Sequence, residues 1–137
     1  MDRRKLLATG GAVFALGNLT PFAAFAQDAT NEFGISDMVQ GDADAPIEII
    51  EYASYTCPHC ARFHASVYPQ LKADYIETGK VKFVYREVYF DRFGLWASMT
   101  ARCGGEAKFF GITDLLYEKQ SEWTASGDPA QISAELR

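Results

Sequence analysis

The amino-acid sequence predicts an α/β fold built on one strand–helix–strand unit, and three observations predict it. An apolar, β-branched run occupies residues 47–53 (IEIIEYA), a helix-patterned stretch opens at Pro58, and a second β-branched run follows at residues 81–88 (VKFVYREV). Two strands joined by a helix of that length form a parallel, right-handed crossover. The 137 residues suffice for a single domain.

Taken in order, residues 1–26 have the make-up of an export signal. Arg3-Arg4-Lys5 precede a mostly apolar stretch from Leu6, and Ala24-Phe25-Ala26 supplies a small-x-small cleavage pattern before Gln27. Gly10, Gly11, Gly17, Asn18 and Pro21 leave the stretch short of a membrane span. The paired arginines suit a twin-arginine signal as well as the general route. Either route predicts a periplasmic protein. The whole chain carries a net charge of −5, and setting aside residues 1–26 removes Arg3, Arg4, Lys5 and Asp2, so the remainder is more acidic still. That charge argues against a nucleic-acid partner.

Residues 27–44 form a polar arm with one apolar patch around Phe33, Ile35, Met38 and Val39, read as a weak strand or loose arm. Gly41-Asp42-Ala43-Asp44-Ala45-Pro46 is turn chemistry, and the run after it reads as a buried strand. A helix is expected over residues 58–77, with Phe63, Val67, Leu71 and Tyr75 on one stripe and a kink at Pro69. Thr78-Gly79 ends it and the second strand follows, completing a βαβ unit over residues 45–90. Residues 91–137 read as helical. Leu95, Met99, Phe109, Leu115 and Leu116 are the apolar positions, Gly104-Gly105 is a break, Trp123 begins a loop, and Gly127-Asp128-Pro129 is the cap and first turn of a further helix.

The chemistry is concentrated in Cys57-Pro58-His59-Cys60, directly after the first strand and at the start of the helix. A thiol there faces unpaired backbone N–H groups and the positive end of the helix dipole, which favour its thiolate. Cys57 is therefore the expected nucleophile. Cys60 lies one turn on, within reach of a disulfide, and is the expected resolving thiol. Pro58 suits the first helical position, where a missing N–H costs nothing. His59 brings a donor, and part of the time a positive charge, to the Cys57 sulfur, so the reduced form is stabilised and the pair becomes a stronger oxidant. No cofactor is implied. Haem attachment needs a histidine at the position of Ala61. A metal-binding module using Cys57, Cys60 and His64 is the alternative of another class, although few further Cys or His residues exist to complete it. A purely structural bridge would close a very short loop and stabilise little.

The turn at residues 41–46, the strand ending Glu51-Tyr52-Ala53-Ser54-Tyr55-Thr56, the Cys57-Pro58-His59-Cys60 site and the helical segment after the second strand together resemble the DsbA family of periplasmic thiol:disulfide oxidoreductases. The resemblance runs from about Met38 onward. It implies a thioredoxin-like fold with a helical insertion, disulfide donation to reduced, unfolded exported polypeptides, and reoxidation by a quinone-linked membrane partner. An isomerase or reductase of periplasmic disulfides would use the same chemistry, and direction stays open. In the family, a strand beyond the insertion carries a cis-proline loop, which none of Pro21, Pro46, Pro58, Pro69 and Pro129 can supply. The expectation is an N-terminal fragment, with the C-terminal part of the fold missing and the insertion truncated.

The family also has a buried acid at the place of Glu51, with a basic neighbour that falls here on Tyr85, so Glu51 is expected to lack its usual partner. A buried Glu51 could accept the proton that Cys60 loses. An edge glutamate in solvent is the other reading. His64 reads as a surface or packing residue, and Cys103 as an odd thiol, either one half of a bridge or a buried free cysteine. Tyr52, Tyr55, Phe63, Tyr68, Phe83, Phe90 and Phe93 are expected mostly in the core, some of them lining a substrate rim.

Overall fold

A computed structural model describes residues 34–137. The export signal expected over residues 1–26, and the start of the polar arm, lie outside the described residues. Three strands form one sheet in the order β1-β3-β2: β1 is Met38–Gln40, β2 is Ile47–Ala53 and β3 is Val81–Glu87. β2 runs parallel to β3, as the crossover requires, and β1 runs antiparallel to β3 with Met38 opposite Tyr85. The arm thus supplies a third strand beyond the two of the expected unit. Its turn depends on Gly41, whose φ is +96° and whose added Cβ would lie 2.6 Å from the Val81 carbonyl oxygen.

Strand periodicity sorts the sheet faces. Ile49, Glu51 and Ala53 share a face with their β3 partners Phe83, Tyr85 and Glu87. The helices cover this face, with Tyr68 against Phe83 and Phe109 against Tyr85. β2 is less buried than its composition suggested. It has a neighbour on one side only among the described strands, and Ile47, Ile50 and Tyr52 are exposed. β3 carries the core instead, with Val81, Phe83, Val84 and Tyr85 buried.

The helix expected over residues 58–77 is three pieces: α1 (Pro58–Ser66), α2 (Tyr68–Leu71) and a π-helical turn (Lys72–Ile76). The chain breaks at Val67, before Pro69, because a proline ring collides with the preceding turn and cannot donate to it. The buried stripe is consequently His64, Tyr68 and Ile76, while Val67 and Tyr75 face solvent. Counting apolar residues had passed over His64, which lies at the centre of the face.

After β3, Asp91 caps α3 (Arg92–Cys103) by accepting from the Phe93 and Gly94 N–H groups at 2.8 and 2.9 Å. Gly105, at φ +68°, separates α3 from α4 (Glu106–Glu118). Ala97, Ala101, Phe109 and Leu116 are buried, whereas Leu95, Met99 and Leu115, apolar positions of the same helical pattern, are exposed. Trp123 closes a short helix, α5 (Gln120–Trp123), and is not the start of a loop; its indole N–H donates to the Leu116 carbonyl at 2.8 Å. Four residues are too few to show a helical period. Asp128 and Pro129 begin α6 (Pro129–Glu135) as expected, with Asp128 accepting from Ala130 and Gln131. Cys103 is exposed, which removes the reading of a buried thiol. Among the aromatics, Tyr55, Tyr68 and Phe83 are buried and Phe63 and Phe93 partly so, but Tyr52 and Phe90 are exposed. Among the described residues no helix is long and apolar enough to cross a membrane.

Candidate active site

The loop from β2 to α1 sets the site. Tyr55 is buried, its hydroxyl bonded to Thr113 at 2.8 Å, and the Cys57 N–H donates to the Ser54 carbonyl at 3.0 Å, which turns the chain into the helix. The Thr56 hydroxyl donates to Asp91 at 2.6 Å and ties the loop to the start of α3. Gly94 permits that approach, since a Cβ there would stand 3.1 Å from the Ser54 hydroxyl. Cys57 occupies the N-cap of α1 in an extended conformation, with Pro58 in the first turn and no side chain capping the helix. The N–H groups of the first turn are thus available to a sulfur at Cys57.

Both thiols are free, and their surroundings push them apart. Burial opposes ionisation of Cys57, yet the Cys60 backbone N–H and thiol, the His59 backbone N–H and the charge of Arg62 outweigh it and hold Cys57 below the ordinary thiol range. Cys60 is pushed up to about 11, chiefly by burial, with the Cys57 sulfur and the Glu51 charge adding to it and the backbone at Ser54 opposing it. The two sulfurs are therefore inequivalent.

The His59 side chain is exposed, and its Nδ1 lies 2.5 Å from Arg62 Nη2. Guanidinium groups only donate, so Nδ1 is the acceptor. Neither of the two open readings of Glu51 had paired it with His64. The Glu51 side chain is 14 % exposed and its Oε2 lies 3.0 Å from Nε2 of His64, so it is not an edge glutamate in solvent, and in place of the basic neighbour expected to be missing it has a histidine. The partner comes from α1 and not from β3. Tyr85 does stand opposite Glu51 in the strand register, but its hydroxyl meets that of Tyr117 at 2.6 Å. His64 is buried, stacked on Tyr117 with ring centroids 4.2 Å apart. Among the described residues no group of three or more His, Cys, Asp or Glu is placed to hold a metal ion, so Cys57, Cys60 and His64 do not form the alternative metal centre.

Sequence reasoning missed Gln120. From α5 its amide donates to the Tyr55 carbonyl at 2.7 Å and the Cys57 carbonyl at 3.0 Å, pinning the active-site turn from below. A glutamine 63 residues from its acceptor leaves no local signal. Arg62 and the role of His64 as partner of Glu51 were also missed. Arg62 was detectable in principle, since residues three apart on a helix are neighbours.

The family described as Thioredoxin matches residues 34–136. A Rickettsia bellii protein provisionally named a protein-disulfide oxidoreductase is 37% identical over 102 residues, covering 74% of this chain and 39% of its own length. Disulfide bond formation protein D of Bacillus subtilis is 32% identical over 97 residues, covering 65% of this chain and 44% of its own length. Among solved structures, alpha-DsbA1 of Wolbachia pipientis superposes with a TM-score of 0.63 at 36% identity, covering 71% of this chain and 47% of that one. The chain thus spans less than half the length of each of these relatives. The shared fold is thioredoxin-like, with helices on a small mixed sheet.

Proposed function

The chain belongs to the DsbA family of thiol:disulfide oxidoreductases, and on that premise we propose that it donates disulfides to exported proteins through Cys57 and Cys60. A substrate thiolate attacks Cys57 Sγ of the oxidised pair, the Cys57–Cys60 bond breaks, and its electron pair passes to Cys60, which takes up a proton. A second substrate thiolate then attacks the substrate sulfur of the mixed disulfide and releases Cys57 as a thiolate. The substrate leaves oxidised by two electrons and the pair is left reduced.

The observation that carries this reading is the inequivalence of the two sulfurs, with Cys57 held below the ordinary range and Cys60 at about 11. A stabilised leaving thiolate at Cys57 favours the reduced pair, and a pair that prefers reduction is an oxidant. Pro58 starts the helix, His59 contributes its backbone N–H to Cys57 and its ring to Arg62, and Glu51 acts as the proton donor and acceptor beneath Cys60. Substrates are reduced, unfolded exported polypeptides in the periplasm, and a quinone-linked membrane protein restores the disulfide. Export rests on the make-up of residues 1–26.

A redox titration of the native protein against glutathione, paired with oxidation of a reduced protein substrate, tests the proposal. The expected outcome is a potential well above that of an ordinary structural disulfide, with faster substrate oxidation. A strongly reducing potential would instead assign the pair to a reductase.

A further inference from the structure

The exchange reaction moves a proton onto and off Cys60, a sulfur partly buried under the helix. Glu51, whose charge acts on Cys60, is bonded in turn to a buried histidine. Nε2 of His64 lies 3.0 Å from Glu51 Oε2, and a carboxylate oxygen only accepts, so Nε2 carries the ring hydrogen. That leaves Nδ1 as a bare lone pair. It is buried and has no hydrogen-bond partner among the described residues. The His64 side chain is 3% exposed and lines a cavity of about 730 Å3 between α1, α2 and α4 that neither cysteine lines. Across it, Asp114 Oδ1 lies 4.0 Å from Nδ1, too far for a direct bond and suited to a bridging water.

We propose that His64 is a positioning residue that relays a proton between water in this cavity and Cys60 by way of Glu51. The proposal rests on the exchange reading above. When the Cys57–Cys60 bond breaks, the electron pair goes to Cys60. Nδ1 takes a proton from cavity water, Nε2–H passes its proton to Glu51 Oε2, and Glu51 hands a proton to the Cys60 thiolate. Glu51 ends as the carboxylate, and the imidazole ends neutral with its hydrogen moved from Nε2 to Nδ1. Reoxidation of the pair sends the proton back along the same groups and returns the ring to its first tautomer. The Glu51 carboxylate, bonded to His64, is the same charge before and after, so the relay adds no further charge to the core.

Simple packing does not account for this arrangement. The stack on Tyr117 would be filled as well by an apolar ring, and an unpartnered buried acceptor is destabilising. The ionisable groups that face His64 are Glu51 from β2, Tyr85 from β3, Tyr68 from α2, and Asp114 and Tyr117 from α4, with Lys72 acting on Asp114. Burial raises the three tyrosine hydroxyls far above neutrality, so they stay protonated through the working range. Asp114, also raised by burial, is the remaining group on the water side.

The test measures, in the native protein, how fast Cys60 closes the ring on a Cys57–glutathione mixed disulfide, as a function of pH. His64→Gln can still donate to Glu51 but cannot relay, and its closure should slow at least about tenfold and lose its pH dependence around neutrality while the redox potential holds. His64→Gly should be restored by added imidazole in proportion to its concentration and not by pyrrole, which has the same shape and no basic nitrogen. Wild-type rates in His64→Gln at every pH, or equal rescue by pyrrole, would each overturn the relay. Failure of the wild-type protein to form the Cys57–Cys60 disulfide from glutathione at all would instead overturn the exchange reading, and the relay with it.

Discussion

Arg62 Nη2 and His59 Nδ1 stand 2.5 Å apart on the exposed face of α1, with the guanidinium as donor. While that bond holds, Nδ1 is occupied as an acceptor, so the positive charge beside Cys57 belongs to the arginine. The sequence had pointed to the histidine for it.

Removing that charge in Arg62→Ala should slow alkylation of Cys57 by iodoacetamide at mildly acid pH by about threefold, the order expected for one exposed charge at close range. Arg62→Lys should recover most of the rate by restoring the charge without the planar fork. Alkylation–pH profiles of the three proteins check both expectations, and an unchanged Arg62→Ala profile would remove the guanidinium from the tuning of Cys57.

The two thiols also set a pH dependence for the reduced protein. Cys57 is an acid whose folded pKa is depressed, so its contribution to stability is complete above the unfolded thiol value of about 8.5 and is lost as pH falls through its folded value. Cys60 has the opposite sign. Its folded value of about 11 lies above the unfolded one, so the folded protein retains a proton that the unfolded chain has released, and stability falls from roughly pH 8.5 upward. The stability of the reduced protein relative to a Cys57→Ser/Cys60→Ser variant should therefore peak near pH 8.5, as read from denaturation midpoints across a pH series.

Gln120→Ala strips the Tyr55 and Cys57 carbonyls of one amide donor. A cost of about 1–3 kcal/mol in chemical denaturation is expected from the exposed deficit of two acceptors, one of them buried. Faster hydrogen exchange in the loop from Ser54 to Cys57 should accompany it. If stability drops and the loop amides keep their protection, the pinning role assigned to Gln120 is wrong.

Gly41→Ala should destabilise by about 2 kcal/mol or more, since the backbone there has positive φ and the new Cβ would meet the Val81 carbonyl at the start of β3. Gly127, also at positive φ but with open space around it, provides the control, and Gly127→Ala should cost less. Thermal melts of the two variants decide whether the close approach adds to the backbone strain.

The strand–helix–strand frame was legible because its signals are local. Two β-branched runs, Gly79 and Pro46 at their borders, and the caps Asp91 and Asp128 can each be read within a few residues. The dithiol was legible for the same reason, being four consecutive residues at a strand–helix junction. What stayed open or escaped notice depends on partners distant in the chain. Of the two readings of the arm, weak strand or loose arm, the strand holds for Met38–Gln40 because it pairs with β3, and the exposure of β2 follows from its place in the sheet order. Of the two readings of His64, surface or packing, the second holds, and what no local pattern shows is the hydrogen bond to Glu51 that allows it into the core. Gln120 gave no sign at all, since its acceptors are carbonyls that every residue possesses.

Gln120 and Trp123 are the two ends of α5, one holding the Cys57 carbonyl and the other buried with its indole N–H on Leu116. An adjustment of the active-site turn when its two sulfurs join or part would reach an indole through a single helical turn. The expected outcome is a difference in tryptophan emission between the oxidised and reduced protein that persists when Trp96, the second tryptophan, is replaced and that Gln120→Ala diminishes.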